Sequence, residues 1–324
     1  MNARLPIRTL GPTGSEVGAV GLGCMGMSWA YDPAGRDDER SIVVIRHALD
    51  IGVTLIDTAD AYGPFTNEEL VGRALEGRRD EAVLATKCGL RVESIEPIKI
   101  GRDGRPEHVR EAINESLQRL GTDRVDLYYL HRVDPEVPVE ETWGAMAEAV
   151  AQGKAAAIGM SEATVEELEK ANAIHPVAAL QSELSLWERG PLANGVLQWC
   201  REHDAAFVPY APLGRGFLTG AVTRASITER DMRFTNPRFT AEAMEANFAI
   251  VDRVREVAER HEATPGQVAL GWCLAQYDGV VPIPGTRRVE RLEENAGAAR
   301  LHLSDEDLAD LDALPAPAGQ RFTV

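Results

Sequence analysis

The sequence predicts an α/β fold, a closed (β/α)8 or TIM barrel with an N-terminal β-hairpin, on three observations. Eight short apolar runs, near residues 20, 54, 83, 126, 156, 178, 207 and 280, alternate with helix-like stretches. The runs do not alternate polar with apolar residues, which suits parallel strands buried on both faces. Polar residues recur at their C-terminal ends, where such barrels build their sites. The open doubly wound sheet is the competing architecture, and Gly21-Leu-Gly23-Cys-Met-Gly26 matches its G-x-G-x-x-G fingerprint. That fingerprint should lead directly into a helix and meet an acid about 20 residues on. Here residues 27–35 hold Trp29, Tyr31, Asp32 and Pro33 and read as loop, so the barrel is preferred.

In chain order, residues 4–19 read as two short strands around a Gly-Pro-Thr-Gly turn. Asp37 or Asp38 caps a helix that carries Ile42, Ile45 and Leu49 on one side and stops at Gly52. Asn67 is expected to cap 68–75, with Glu68 and Glu69 in the first turn. Pro106 opens a helix striped by Val109, Ala112, Ile113, Leu117 and Leu120 and closed by Gly121. Trp143, Met146, Ala147 and Val150 stripe another, ended by Gly153. Thr164 with Glu167, and Thr264 with Gln267, form capping boxes. Two last helices are expected over 288–298 and 304–314. The Arg-rich stretch 219–242 lacks periodicity and reads as a long functional loop.

The 324 residues are expected to form one barrel domain, 1–324, since no low-complexity linker divides them. A hydrophobic content of 44% with 26% charged residues is that of a soluble globular chain. The net charge of −17 argues against nucleic-acid or anionic-membrane surfaces, so an anionic ligand needs a local arginine cluster. Cys24, Cys88, Cys200 and Cys273 lie far apart without zinc spacing, and buried thiols in a reduced, cytoplasmic compartment are expected. No apolar run has membrane-spanning length.

Three successive strand-like runs end in different ionisable groups: Asp57, Lys87 and His131, with Tyr62 just after the first. A carboxylate at the mouth of an apolar strand needs a partner, and Lys87 and His131 are the candidates. Hydride reduction of a carbonyl puts negative charge on oxygen, which needs a proton donor. A phenol has an ordinary pKa near 10, and a neighbouring ammonium lowers it. Lys87 is expected to do so, with Asp57 keeping it charged and in place. A neutral His131 can donate a hydrogen bond that orients the carbonyl. No metal is expected, since a lysine occupies a central position where a metal-dependent barrel hydrolase needs ligands. Taken singly, Asp57 with Lys87 is at least as readily a structural ion pair, and His131 is more often a satisfied core or loop histidine.

Asp57-Thr-Ala-Asp-Ala-Tyr62-Gly63, Ala85-Thr-Lys87 and Tyr129-Leu-His131 resemble the catalytic signature of the aldo-keto reductases, in their bacterial-type NADPH-dependent branch. The likeness continues in order through Gly159-Met-Ser161, Gln181-Ser-Glu183, Pro209-Tyr210 to Gly216, and Ile283-Pro-Gly-Thr-Arg-Arg288 to Glu294-Asn295. It implies reduction of aldehydes or ketones with NADPH/NADP+, Tyr62 as proton donor, Lys87 and Asp57 as its tuning pair, and His131 as orienter. It implies that Ser161 and Gln181 hold the carboxamide and that Tyr210 stacks on the nicotinamide. Leu213, Gly214, Arg215, Gly216 and Leu218 would cover the pyrophosphate. Gly285, Thr286, Arg287 and Arg291 lie at a helix start, a favourable place for phosphate, and the arginines suggest a 2′-phosphate. Glu294 and Asn295 would contact adenine. Much of the family has Asn after the serine, whereas Glu162 stands here, and it cannot donate as an amide can. Trp29, Phe65 and Trp187 are candidates for a pocket that takes a small carbonyl substrate; residues 25–35, 219–242 and 315–324 are expected to set specificity. The alternative function is a non-catalytic, cofactor-sensing subunit of the same fold.

Overall fold

The computed structural model describes residues 5–95 and 98–321. Arg4, the first residue of the expected hairpin, and 322–324, the end of the expected specificity segment, lie outside the described residues. The hairpin pairs β1 (Ile7–Leu10) with β2 (Ser15–Gly18) antiparallel, and Gly14 takes the left-handed turn position at φ 74°. Seven parallel strands follow: β3 (Leu22–Gly23), β4 (Leu55–Asp57), β5 (Val83–Cys88), then, beyond the excursion β6 (Leu90–Ile95) and β7 (Ile98–Arg102), β8 (Val125–Leu130), β9 (Ala155–Ser161), β10 (Ala179–Glu183) and β11 (Ala206–Tyr210). Their order in the sheet is β11-β10-β9-β8-β5-β4-β3.

Residues 280–283 close the barrel. The Val281 and Ile283 amides donate to the Phe207 and Pro209 carbonyls at 2.9 and 3.0 Å, and the Gly21 amide donates to the Pro282 carbonyl at 2.9 Å. Pro282 and Pro284 have no amide hydrogen to offer, so this eighth stave makes isolated bonds rather than a continuous ladder. The Gly-x-Gly pattern belongs to this seam. A Cβ on Gly21 would lie 2.9 Å from the Ile283 side chain, and one on Gly23 would lie 2.9 Å from the Ile283 carbonyl oxygen. The fingerprint glycines at 21 and 23 therefore serve close strand approach, not a phosphate turn.

Strand parity decides what faces inward. Leu55, Ala85, Leu127, Tyr129, Ala157, Ala179, Ala206, Val208, Val281 and Ile283 pack together inside the barrel, and Leu10 and Val17 of the hairpin pack against them as its floor. Small residues make room for Tyr129, whose ring would be 2.7 Å from a Cβ on Gly159. Two residues further along the same parity come Asp57, Lys87, His131, Ser161, Gln181 and Tyr210, because side chains i and i+2 share a face. Outward residues such as Ile56, Leu84, Tyr128, Ile158, Leu180 and Phe207 pack under the helices.

Most helices follow the sequence. Asp37 caps Asp38–Asp50, Gly121 closes Pro106–Leu120 in the left-handed conformation, and both capping boxes are formed. Asn67 is a correction: it lies within the first turn of Thr66–Leu75, preceded by Phe65 at φ 66°. Its buried amide instead bonds Thr58, the Cys24 carbonyl and Ser28, so it is drawn inward to pin two loops. The helix Ala241–Arg260, capped by Thr240, was not anticipated, and it ends the expected 219–242 loop early. The four thiols are buried and free, as expected. No helix among the described residues is long and apolar enough to cross a membrane.

The seam makes a stability prediction. Gly23→Ala pushes a methyl against backbone and should cost about 1–3 kcal/mol. Gly26→Ala meets only the Tyr31 ring, at 3.2 Å, and should cost less. Urea unfolding of both variants checks this; equal losses would contradict the seam assignment.

Candidate active site

Asp57 ends β4, Lys87 stands one residue before the end of β5, and His131 directly follows β8. Tyr62 sits in the turn after β4, where its amide donates to the Ala59 carbonyl and its carbonyl accepts from the Asn67 amide. The structure brings the four together. The Lys87 ammonium donates to Asp57 Oδ1 at 2.6 Å, to the Thr58 carbonyl at 2.8 Å and to the Tyr62 hydroxyl oxygen at 3.2 Å. An ammonium has three hydrogens, and all three are used. Because the phenol oxygen accepts from Lys87, its own proton must point elsewhere. The His131 ring stands edge-on to Tyr62 at 5.6 Å, and Trp29 lies 6.0 Å away on another side.

Burial sets the charges. Lys87 is fully buried and Asp57 is 2% exposed. Burial works against the charge on Lys87, but Asp57 and Tyr62 outweigh it and hold the ammonium above its ordinary range. His131 is pushed well below an ordinary histidine, first by burial and then by Lys87 and Arg132, so its imidazole is neutral. Lys87 acts on the phenol in the expected direction, but it does not set the net shift. Burial is the largest influence on Tyr62 and raises its pKa; Lys87 opposes it without overcoming it. At neutral pH Tyr62 is thus a phenol with its proton in place.

Around this core Gln181 and Glu162, already singled out in the sequence, take partners the sequence did not show, and Arg132, Arg119 and Arg321 join them unannounced. Gln181 donates to Asp57 Oδ2 at 2.8 Å, which fixes the second carboxylate oxygen. Arg132 donates to Ser161 Oγ at 3.1 Å and to the His131 carbonyl at 2.6 Å. Glu162, in a left-handed conformation at φ 56°, accepts from the Glu183 amide at 2.9 Å and from Arg321 at 2.6 Å. Buried Glu68 accepts from Thr86, the residue before Lys87, and pairs with Arg119, both at 2.6 Å. Arg132 follows His131 directly and was within reach of the sequence. Arg321 is more than a hundred residues from each of its partners, and no local pattern marks it.

The outer cleft is mixed. Arg215, at φ 55°, pairs with Glu183 at 3.5 Å. The amides of Gly214, Gly216 and Leu218 already donate to carbonyls of Ala211 and Leu213 within the loop. Arg291 pairs with Glu294, which also accepts from Thr264 at 2.8 Å, and Asn295 is buried. Thr286 caps the Arg288 amide at 3.2 Å, beside Gly285, whose Cβ would lie 3.0 Å from the Gly23 carbonyl oxygen. Arg287 donates to the Asp32 carbonyl at 3.2 Å and has no carboxylate within 4 Å among the described residues. Burial and the adjacent Arg287 both hold Arg36 below its usual range. Asp32 opposes that shift, but among the described residues neither guanidinium has a carboxylate within 4 Å, which suits an anion between them.

The three pocket candidates are placed differently, and Trp187 lines a small cavity with Glu183, Gly214 and Arg215. Trp187 is 2% exposed and stacks on Phe217 at 4.4 Å with Phe239 edge-on, because a large indole beside two phenyl rings gains more by burial than by facing the cleft. Phe65 is 44% exposed and lies under the Arg119 guanidinium at 4.7 Å, a cation–π contact. Trp29 alone of the three stands beside Tyr62.

A parallel barrel with these groups at the C-terminal ends of its strands has the form of a barrel enzyme. The model of the family described as "Aldo/keto reductase family" matches residues 19–316. The chain is 43% identical over 309 residues to "Probable aldo-keto reductase 1" of Glycine max, covering 94% of this chain and 88% of that one. Among solved structures it resembles a glycerol dehydrogenase from Gluconobacter oxydans, with 30% identity, a TM-score of 0.87 and coverage of 98% and 99%. It also resembles an aldo/keto reductase from Klebsiella pneumoniae in complex with NADP and acetate, with 28% identity, a TM-score of 0.71 and coverage of 98% and 97%. The chain belongs to the aldo/keto reductase family.

The depressed His131 pKa predicts a pH dependence of stability. Below about pH 6.5 the unfolded chain binds a proton that folded His131 refuses. Stability from the neutral buried imidazole is therefore present above that pH and lost as pH falls. His131→Asn should lose less stability than wild type between about pH 7.5 and 5.5, measured by urea unfolding; equal losses would contradict a depressed value.

Proposed function

We propose that this chain, residues 1–324 acting as one barrel domain, reduces aldehydes or ketones to alcohols with NADPH, and that Tyr62 delivers the proton. When bound, reduced nicotinamide supplies the hydride, which no side chain of the cluster can give. The observation that carries the reading is the triple engagement of the Lys87 ammonium by Asp57, the Thr58 carbonyl and Tyr62.

With its lone pair taken by Lys87, the phenol keeps its proton for an acceptor in the cleft. A substrate oxygen that becomes an alkoxide is far more basic than a phenolate, so the phenol need not be acidic in the resting enzyme. Its raised pKa keeps it protonated, and the ammonium is in place for the phenolate that transfer creates. Asp57, held by Gln181, balances the ammonium. Neutral His131 supplies an N–H that can orient the carbonyl without competing for the proton.

Several features support a phosphorylated dinucleotide. Ser161, Gln181 and Tyr210 continue the inward parity beside the cluster, and Tyr210 is only partly exposed. Arg287 beside Arg36 supports the 2′-phosphate of NADPH, while Arg291 is committed to Glu294 and is assigned a lesser part. Thr286 and Gly285 lie next to Arg287, and Glu294 and Asn295 lie one helical turn beyond Arg291. The 213–218 loop would contribute Arg215 and those amides not already bonded within it. A cytoplasmic setting completes the reading, with a small carbonyl compound as partner and neither nucleic acid nor membrane.

NADPH oxidation followed by absorbance with simple aldehydes tests the proposal. Wild type should turn over. Tyr62→Phe should lose at least about 10²-fold in kcat while NADPH binding stays within about twofold. Turnover retained in the variant would place the proton donor elsewhere, and cofactor binding without turnover in wild type would favour a sensor.

A further inference from the structure

Residues 311–321 are fastened along the molecule by groups far away in sequence. Arg189 donates to the Leu311 and Asp312 carbonyls, both at 2.8 Å. The Asn247 side chain clasps Ala318, donating to its carbonyl at 3.1 Å and accepting from its amide at 2.7 Å. Gly319 turns at φ 86° with its Cα against Pro237, where a Cβ would lie 2.7 Å from the Pro237 carbonyl oxygen. This strap carries Arg321 to the C-terminal ends of β9, β10 and β11. Its guanidinium donates to Glu162 at 2.6 Å, to Glu183 at 3.2 Å and to the Tyr210 hydroxyl oxygen at 3.2 Å.

Each of those three groups bears on the cleft. Glu162 follows Ser161, Glu183 lies two residues beyond Gln181 on the same face of β10, and Tyr210 ends β11. Glu162 and Glu183 are close enough that the carboxylate of one accepts from the amide of the other. Two carboxylates there, in a chain of net charge −17, would repel an anionic cofactor. Arg215 offers one cation, at 3.5 Å from Glu183. Arg132 acts on Glu162 without bonding it, and Arg321 is the cation that bonds the pair directly, in a planar fork that reaches both acids and the phenol.

We propose that Arg321 is a positioning residue for the cofactor: it neutralises Glu162 and Glu183 and fixes Tyr210 through its hydroxyl, so that the strap forms part of the cofactor cleft. Glu162 then anchors the strap and does not hold the carboxamide. The left-handed backbone at Glu162 fits this role, since such strain persists only where the surroundings over-determine it. This inference rests on the reading that the cleft takes NADPH.

The test uses the full chain and measures NADPH Kd by fluorescence titration, with kcat and the KM for NADPH at a saturating simple aldehyde. Arg321→Met should raise Kd and KM at least about tenfold while kcat at saturating NADPH stays within about twofold. Adding Glu162→Gln to Arg321→Met should recover much of the loss, because one carboxylate that needed a cation is gone. Arg321→Lys, which keeps the charge but not the fork, should fall between wild type and Arg321→Met, and it carries the test if the Met variant melts early. An unchanged Kd in the Met and Lys variants, a fall in kcat alone, or no recovery with Glu162→Gln overturns the proposal. Wild type that binds no NADPH overturns the functional reading beneath it; wild type that binds NADPH beside an unaffected Arg321→Met overturns only the role of Arg321.

Discussion

A fully buried ammonium must have acceptors for its three hydrogens and a countercharge, and the rest of the site is arranged to satisfy that demand at Lys87. Asp57 supplies the charge, the Thr58 carbonyl one acceptor and the Tyr62 oxygen the other. Removing one partner of such a buried pair typically costs about 3–5 kcal/mol, so stability and chemistry draw on the same contacts. The third hydrogen decides the function. It occupies the phenol's acceptor side and leaves the phenol's proton for the cleft.

The barrel delivers these groups by simple parity. Along β4, β5, β8, β9, β10 and β11 the inward positions are small or apolar below, from Leu55 and Ala85 to Ala206, and polar at the rim. The proline-interrupted seam at 280–283 closes the circle, which is why glycine is needed at 21 and 23. The rim itself is tied by contacts between distant segments. The Met232 amide donates to the Ala30 carbonyl at 2.9 Å, and Arg321 bridges β10 and β11 to Glu162. Left-handed non-glycine residues gather there, at Phe65, Glu162, Ala211 and Arg215, as expected where loops are held for function.

Much of this was legible in the sequence where the signal was local. Asp57, Lys87 and His131 stood out because an ionisable group at the end of an apolar run conflicts with burial. The two Thr-initiated capping boxes and Gly121 had equally local signatures. The helix Ala241–Arg260 was missed because its start, Thr240-Ala-Glu-Ala, lies inside an Arg-rich stretch whose polarity masked the stripe Met244, Ile250, Val251, Val254 and Val257. The stacking of Trp187 on Phe217 and Phe239 was not legible, because composition does not distinguish a rim aromatic from one packed beneath a loop. The sign of the Tyr62 shift was misjudged for a related reason: charge neighbours can be read from sequence, whereas the depth of burial that outweighs them cannot. Arg321 depends wholly on tertiary placement.

The central claim is that the Lys87 ammonium stabilises the phenolate left on Tyr62 after proton transfer. The most direct measurement is single-turnover oxidation of bound NADPH by an aldehyde in Lys87→Met, with folding checked by circular dichroism and NADPH affinity measured in parallel. The account predicts that the chemical step slows by at least about 10²-fold while affinity for NADPH stays within about twofold of wild type. A chemical step within about threefold of wild type would contradict it.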